Sequence, residues 1–243
     1  MELRNWLAGR EGARRAKQAL IGSVVITLLL YFTPFGRILA YPLMLLSTLV
    51  HELGHGLVAL LCGQDFHSLV IYPDGSGVAQ HSGPESPARS ALIAAGGLVG
   101  PATAAAIGFG VGRYEKASRV LLAGSAVALA LVMGLFIRNG FGLGFAGLVV
   151  LLLGWVVWKK PHRAQLVLVF LAVQLALSVF SRGDYLFTDT AMTGSGPMPS
   201  DVENMSLALG GPYWLWGLVC GAFSVLVLGG GIAWFWRVFN QRR

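Results

Sequence analysis

About seven stretches of this chain are each long and apolar enough to cross a lipid bilayer, and no other feature narrows its fold so far. A crossing helix needs about 20 mainly apolar residues at a rise of about 1.5 Å each. Stretches at roughly 18–34, 38–62, 89–112, 118–137, 141–158, 163–181 and 212–236 meet that length. The expected fold is therefore an all-α polytopic membrane protein, a bundle of about six or seven transmembrane helices. With 55% hydrophobic and 12% charged residues among 243, too few polar groups remain to cover a soluble domain.

The net charge of +7 would point to nucleic acid in a soluble protein. Here the Lys and Arg residues sit in short stretches between apolar runs, which is the pattern of membrane orientation and not of a phosphate-binding face. If both of the first two stretches cross, the basic residues of "GRYEKASR" and "KKPHR" fall opposite the basic N-terminus, against the positive-inside tendency. If residues 18–62 cross once in net, nearly all the basic residues share one side. Segment length favours the first arrangement and charge the second. Residues 1–17 read as a basic segment that is cytoplasmic or lies on the surface, because no small-residue cleavage site closes a short apolar region. Cys62 and Cys220 both fall in apolar runs, so no disulfide framework is expected. Many of the 33 glycines lie inside spans, as in "AAGGLVGPATAAA", where small residues let helix backbones approach. Residues 18–243 read as a single domain.

Two polar stretches interrupt the spans. In the first, 63–87, a β-type run from Ser68 to Tyr72, the turn "PDGSG" and a second run from Val78 to His81 predict a hairpin. The second, 181–211, gathers most of the remaining acidic residues in a long loop or half-buried excursion, and loops of that length are functional or disordered.

Within the second apolar stretch, "LLSTLVHELGHGLVALLCG" holds three ionisable groups in five positions, His51, Glu52 and His55. Each costs about 2.5–3.5 kcal/mol at the centre of a span even on insertion scales. Residues four apart share a helix face, so His51 and His55 can present two imidazoles to one ion, while Glu52 points about 100° away from His51. Glu52 can then reach a metal-bound water without being a ligand. This is the HExxH arrangement, in which zinc acidifies its water and the glutamate takes the proton. The competing reading makes the histidines hydrogen-bonded core groups. Gly54 and Gly56 suit either a closely approaching backbone or ordinary helix packing.

HELGHG in an early span, a hairpin directly after it, and then the small-residue span "AAGGLVGPATAAA" together resemble the site-2 protease family of intramembrane zinc metalloproteases. The likeness is close over roughly residues 45–110. It implies one zinc per chain held by His51, His55 and an aspartate from later in the chain. It also implies Glu52 as general base and substrates cut within the bilayer. The family's usual LDG motif is missing, and the nearest letters, "PDG" at 73–75, place Asp74 in the hairpin turn. Asp201, in "GPMPSDVEN", resembles the Ser-Asp pair of a compact branch of that family that lacks a PDZ domain. It is equally suited to cap a helix. Asp184, in "SRGDYLF", is the alternative third ligand, or an interface charge beside Arg182. Asp189, Glu203, His81 and His162 complete the candidates. His67 and His81 flank the hairpin, placed to pair across it. Arg138 and Asn139 form either a substrate anchor or a tight turn with a snorkelling arginine.

The resemblance implies an intramembrane zinc metalloprotease, and the hairpin at 66–81 offers an edge on which an extended membrane-protein substrate is expected to add as a strand. The expected location is the plasma (inner) membrane of a bacterium, as an integral multi-pass protein. A zinc-dependent hydrolase of a lipid or small amide stays open as an alternative, as does a non-enzymatic scaffold that retains the motif. The third ligand discriminates among them, because a catalytic zinc takes three protein ligands and keeps one position open.

Overall fold

A computed structural model describes residues 2–33, 35–181 and 183–240. The basic segment 1–17 and the first apolar stretch form a single helix, α1 (Glu2–Phe32), followed by α2 (Gly36–Leu61). A hairpin of β1 (Asp65–Ile71) and β2 (Gly77–Ser82) comes next, where the sequence predicts it. Then come α3 (Pro87–Gly112), α4 (Glu115–Leu135), α5 (Gly140–Lys159) and α6 (Ala164–Ser181). The stretch 181–211 is not an open loop. It holds a 3-10 turn (Gly183–Phe187), a second hairpin of β3 (Thr190–Thr193) and β4 (Gly196–Pro199), and the short helix α7 (Asp201–Leu209). Helix α8 (Tyr213–Asn240) closes the chain. Among the described residues, six helical stretches are long and apolar enough to span a membrane, at Ile38–Leu61, Pro87–Gly112, Glu115–Leu135, Gly140–Lys159, Pro161–Phe187 and Tyr213–Arg237. This is the expected helical bundle.

Helix α3 stands at the centre, packed against α2, α6, α7 and α8. It starts cleanly because Ser86 accepts a hydrogen bond from Arg89 N–H at 3.3 Å and Pro87 takes the first helical position. Its glycines set the approach of α2. A Cβ on Gly54 would strike the Gly96 carbonyl, and one on Gly100 would come within 3.3 Å of the Val50 carbonyl. The helices therefore touch backbone to backbone, which only small residues allow.

Arg15 and Arg113 meet at one end of the bundle, the end opposite Arg89 and Arg138. Arg15 lies 3.8 Å from Glu115, Gln165 donates to both Gly12 O and Gly112 O, and Arg113 donates to Trp234 O at 3.1 Å. These ties bring together the start of α1 and the ends of α3 and α8, beside the start of α4. That end is the one expected when residues 18–62 make one net crossing, so the geometry sides with the charges.

The first hairpin pairs antiparallel, Leu69 with Ala79 and Ile71 with Gly77, and carries an irregularity between Phe66 and Ser68. Its outer β1 edge is filled. Leu69 N–H donates to Phe136 O at 2.8 Å, Arg138 N–H donates to Leu69 O at 3.2 Å, and Leu69 and Ile137 form a parallel bridge. Asn139 Nδ2 donates to Ile71 O at 2.6 Å, and the Arg138 guanidinium donates to Leu135 O. Arg138 and Asn139 thus tie the hairpin to the α4–α5 corner. That leaves β2 as the edge of this sheet open to another strand.

Candidate metal centre and its surroundings

Helix α2 places His51 and His55 one turn apart, and their Nε2 atoms lie 3.1 Å from each other, with the rings nearly perpendicular at 84°. Asp201, the first residue of α7, reaches both. Its Oδ2 is 3.0 Å from His51 Nε2 and its Oδ1 is 3.3 Å from His55 Nε2. One donor atom from each of the three residues falls within 4.8 Å of the others, a group that can hold a metal ion. The other alternative for Asp201, the helix cap, belongs to its neighbour. Ser200 Oγ accepts from Glu203 N–H at 3.2 Å.

The donors fit a cation on chemical grounds. The Ile93 carbonyl lies 2.8 Å from His55 Nδ1, and since a carbonyl only accepts, Nδ1 carries the hydrogen. In the neutral ring Nε2 then keeps its lone pair, turned toward His51 and the carboxylate. Asp201 Oδ2 is buried and accepts no hydrogen bond despite its closeness to His51. Two imidazole nitrogens and an anion crowded together repel unless a positive charge sits among them. A backbone carbonyl orienting the far ring nitrogen is the usual support of a ligating histidine.

The fit of α3 is part of the site. A Cβ on Gly97 would fall on the His55 ring, so the imidazole occupies the space that this glycine leaves. Glu52 is 5% exposed, and the Ala79 backbone N–H of β2 donates to it. Gly77, also on β2, lies against Glu52 where a side chain would collide with it. Strand β2 therefore runs beside the glutamate.

The family model of the Peptidase M50B-like proteins matches residues 20–231. The chain belongs to that family, which is the site-2 protease family. Neither a curated protein nor a solved structure matches it. Family and fold together identify a metallopeptidase-type, multi-pass membrane protein with a His-His-Asp group able to bind a metal.

The other candidates lie elsewhere. Asp74 makes a turn, its Oδ1 accepting from Ser76 N–H at 2.9 Å and Ser76 Oγ at 2.7 Å, and these bonds lower its pKa. Asp184 belongs to the 3-10 turn, but its side chain lies outside the described residues. Asp189 contributes its carbonyl, which accepts from Ser200 N–H at 2.8 Å. His162 is exposed in the turn between α5 and α6. His67 and His81 do not pair with each other, because the irregularity beside Phe66 puts them out of step. His67 Nε2 contacts Ser82 Oγ and His81 Nδ1 contacts Gln64 Oε1, at 2.5 and 2.6 Å.

Sequence reasoning passes over Tyr185, whose ring meets the His51 ring edge to face at 5.9 Å. Nothing local distinguishes that tyrosine from an interface residue. Two cavities flank the cluster. One, of about 300 Å³, is lined by Thr48, His51, Glu52, Gly77 and the β3 strand. The other, of about 490 Å³, is lined by His51, Glu52, His55, His81, Met198 and Asp201.

Proposed function

We propose that the protein is an intramembrane zinc metalloprotease, acting on peptide bonds in or near the transmembrane segments of other membrane proteins. The observation that carries this reading is the convergence of His51, His55 and Asp201 beside Glu52, inside a bundle of apolar helices. A scaffold needs no such convergence. Zinc held by these three residues would supply Lewis acidity toward a peptide carbonyl and make the attacking water more acidic.

The chain's own groups do the rest. Glu52 takes the proton of the attacking water as its oxygen bonds to the carbonyl carbon, then gives that proton to the nitrogen as the C–N bond breaks. The Ala79 N–H holds the carboxylate in place for both transfers. A transmembrane segment is helical and hides its carbonyls, so it must unwind first. The edge of β2, apart from the Ala79 N–H that Glu52 takes, compensates for part of the lost helical hydrogen bonding by pairing with an extended segment beside Glu52. We place the protein in the plasma membrane of a bacterium.

The test compares wild type with Glu52→Gln, both loaded with zinc and reconstituted with single-span membrane proteins. Glu52→Gln should keep its zinc and lose roughly 10²–10⁴-fold in cleavage rate. Wild-type cuts, mapped by mass spectrometry, should fall in or beside the spans. Equal cleavage by the two forms would overturn the reading.

A further inference from the structure

The β3–β4 hairpin lies across the space beside the histidines. Strand β3 borders the smaller cavity, while Met198 and Pro199 of β4 border the larger. His51, Glu52, Gly77, Tyr185 and Thr193 border both, so the two cavities are halves of one groove with the hairpin crossing it at Glu52.

The hairpin is held unequally at its two ends. At the base, Ser200 N–H donates to Asp189 O at 2.8 Å and Ser200 Oγ donates to Thr188 O at 2.6 Å, next to Asp201. At the tip, Gly194 N–H donates to Ser76 Oγ at 3.0 Å. Gly194 also rests on the Tyr72 ring so closely that a Cβ there would strike it. In β4, Pro197 and Pro199 have no N–H to offer a neighbouring strand, so this side cannot zip onto the open edge of β2. The tip therefore lifts without breaking a sheet, and the base can stay fixed beside Asp201.

We infer that the β3–β4 hairpin is a latched strap across the groove, and that an extended polypeptide reaches Glu52 only when the tip leaves Ser76 and Tyr72. The inference rests on the peptidase reading. A six-residue strand spans about 20 Å, so a chain lying along β2 with its reacting bond at Glu52 needs both halves of the groove. The strap crosses where that chain must pass, at Gly77.

The test uses the full chain with Pro73→Cys and Ser195→Cys, both exposed positions that leave the Ser76 hydroxyl and the Tyr72 ring in place, in a Cys62→Ser background, since Cys220 is only 3% exposed. Nitroxides on the two cysteines, with Glu52→Gln added to prevent turnover, report the tip distance. Adding casein, an unstructured polypeptide, should lengthen it, and an unchanged distance overturns the strap. In the form that keeps Glu52, a short reducible bis-thiosulfonate bridge between the cysteines should abolish casein cleavage with zinc content unchanged, and reductant should restore it. Casein cleavage at the unbridged rate also overturns the strap. The unbridged, zinc-loaded protein is assayed in parallel on a reconstituted single-span membrane protein: failure to cut that substrate overturns the peptidase reading, and the distance alone then judges the strap. Should the cysteine pair prevent folding, Ser76→Ala serves instead. Amide exchange across 190–199 should then quicken and the KM for casein should fall, and no change in either overturns the strap.

Discussion

Ser200 caps α7 and thereby leaves Asp201, the next residue, to aim its carboxylate at His51, 3.0 Å away. Adjoining polar residues at a helix start commonly compete for the capping role, but here they divide two tasks.

That division predicts separable phenotypes. Asp201→Asn should weaken zinc binding sharply while α7 remains formed. Ser200→Ala should keep the metal and cost about 0.5–2 kcal/mol of stability from the lost cap. Zinc content by elemental analysis, with thermal unfolding of each variant, checks both. Full zinc in Asp201→Asn would return the assignment to Asp184.

Gly97→Ala should displace the His55 imidazole, because the added methyl falls on the ring. The expected result is reduced zinc content in a chain that still inserts and folds, with overpacking costing about 1–3 kcal/mol. Gly124→Ala is the control, since a Cβ there meets nothing within 4 Å. It should leave both zinc and stability as they are.

His81 should titrate below the ordinary histidine value of 6.5, because partial desolvation disfavours its charged form. A histidine whose pKa is depressed by folding binds its proton more readily when unfolded. Its contribution is therefore fully present above 6.5 and is lost as the pH falls through the lower folded value. NMR titration of the His81 ring protons, with unfolding followed across the same range, measures this. A midpoint at or above 6.5 would overturn this expectation.

The apolar spans, the HELGH helix and the first hairpin were legible because each is written in consecutive residues. Span length, i, i+4 spacing and the "PDGSG" turn are local properties. The second hairpin was hidden by its own composition. "TAMT" and "GPMP" are short, and a strand with prolines at two of four positions does not read as one. Asp201 could be nominated from the sequence but not separated from a cap, since the deciding fact is that Ser200 takes the cap. Asn139 read first as a turn residue and second as a substrate anchor, and its hydrogen bond to Ile71 across the fold appears in neither reading. The Ile93 carbonyl, which fixes the His55 tautomer, carries no side-chain signal at all.

The meeting of Arg15 and Arg113 at one end of the bundle makes α3 a depth gauge. Gly97, which receives the His55 ring, stands sixteen positions before Arg113 at that end, about 24 Å along the helix at 1.5 Å per residue. With that end moored to the headgroups of one leaflet, a hydrocarbon layer of about 30 Å puts the imidazoles close under the opposite leaflet. Bilayer thickness then sets how deep the His-His-Asp cluster lies. A thinner membrane would lift that cluster toward bulk water, and a thicker one would sink it into lipid.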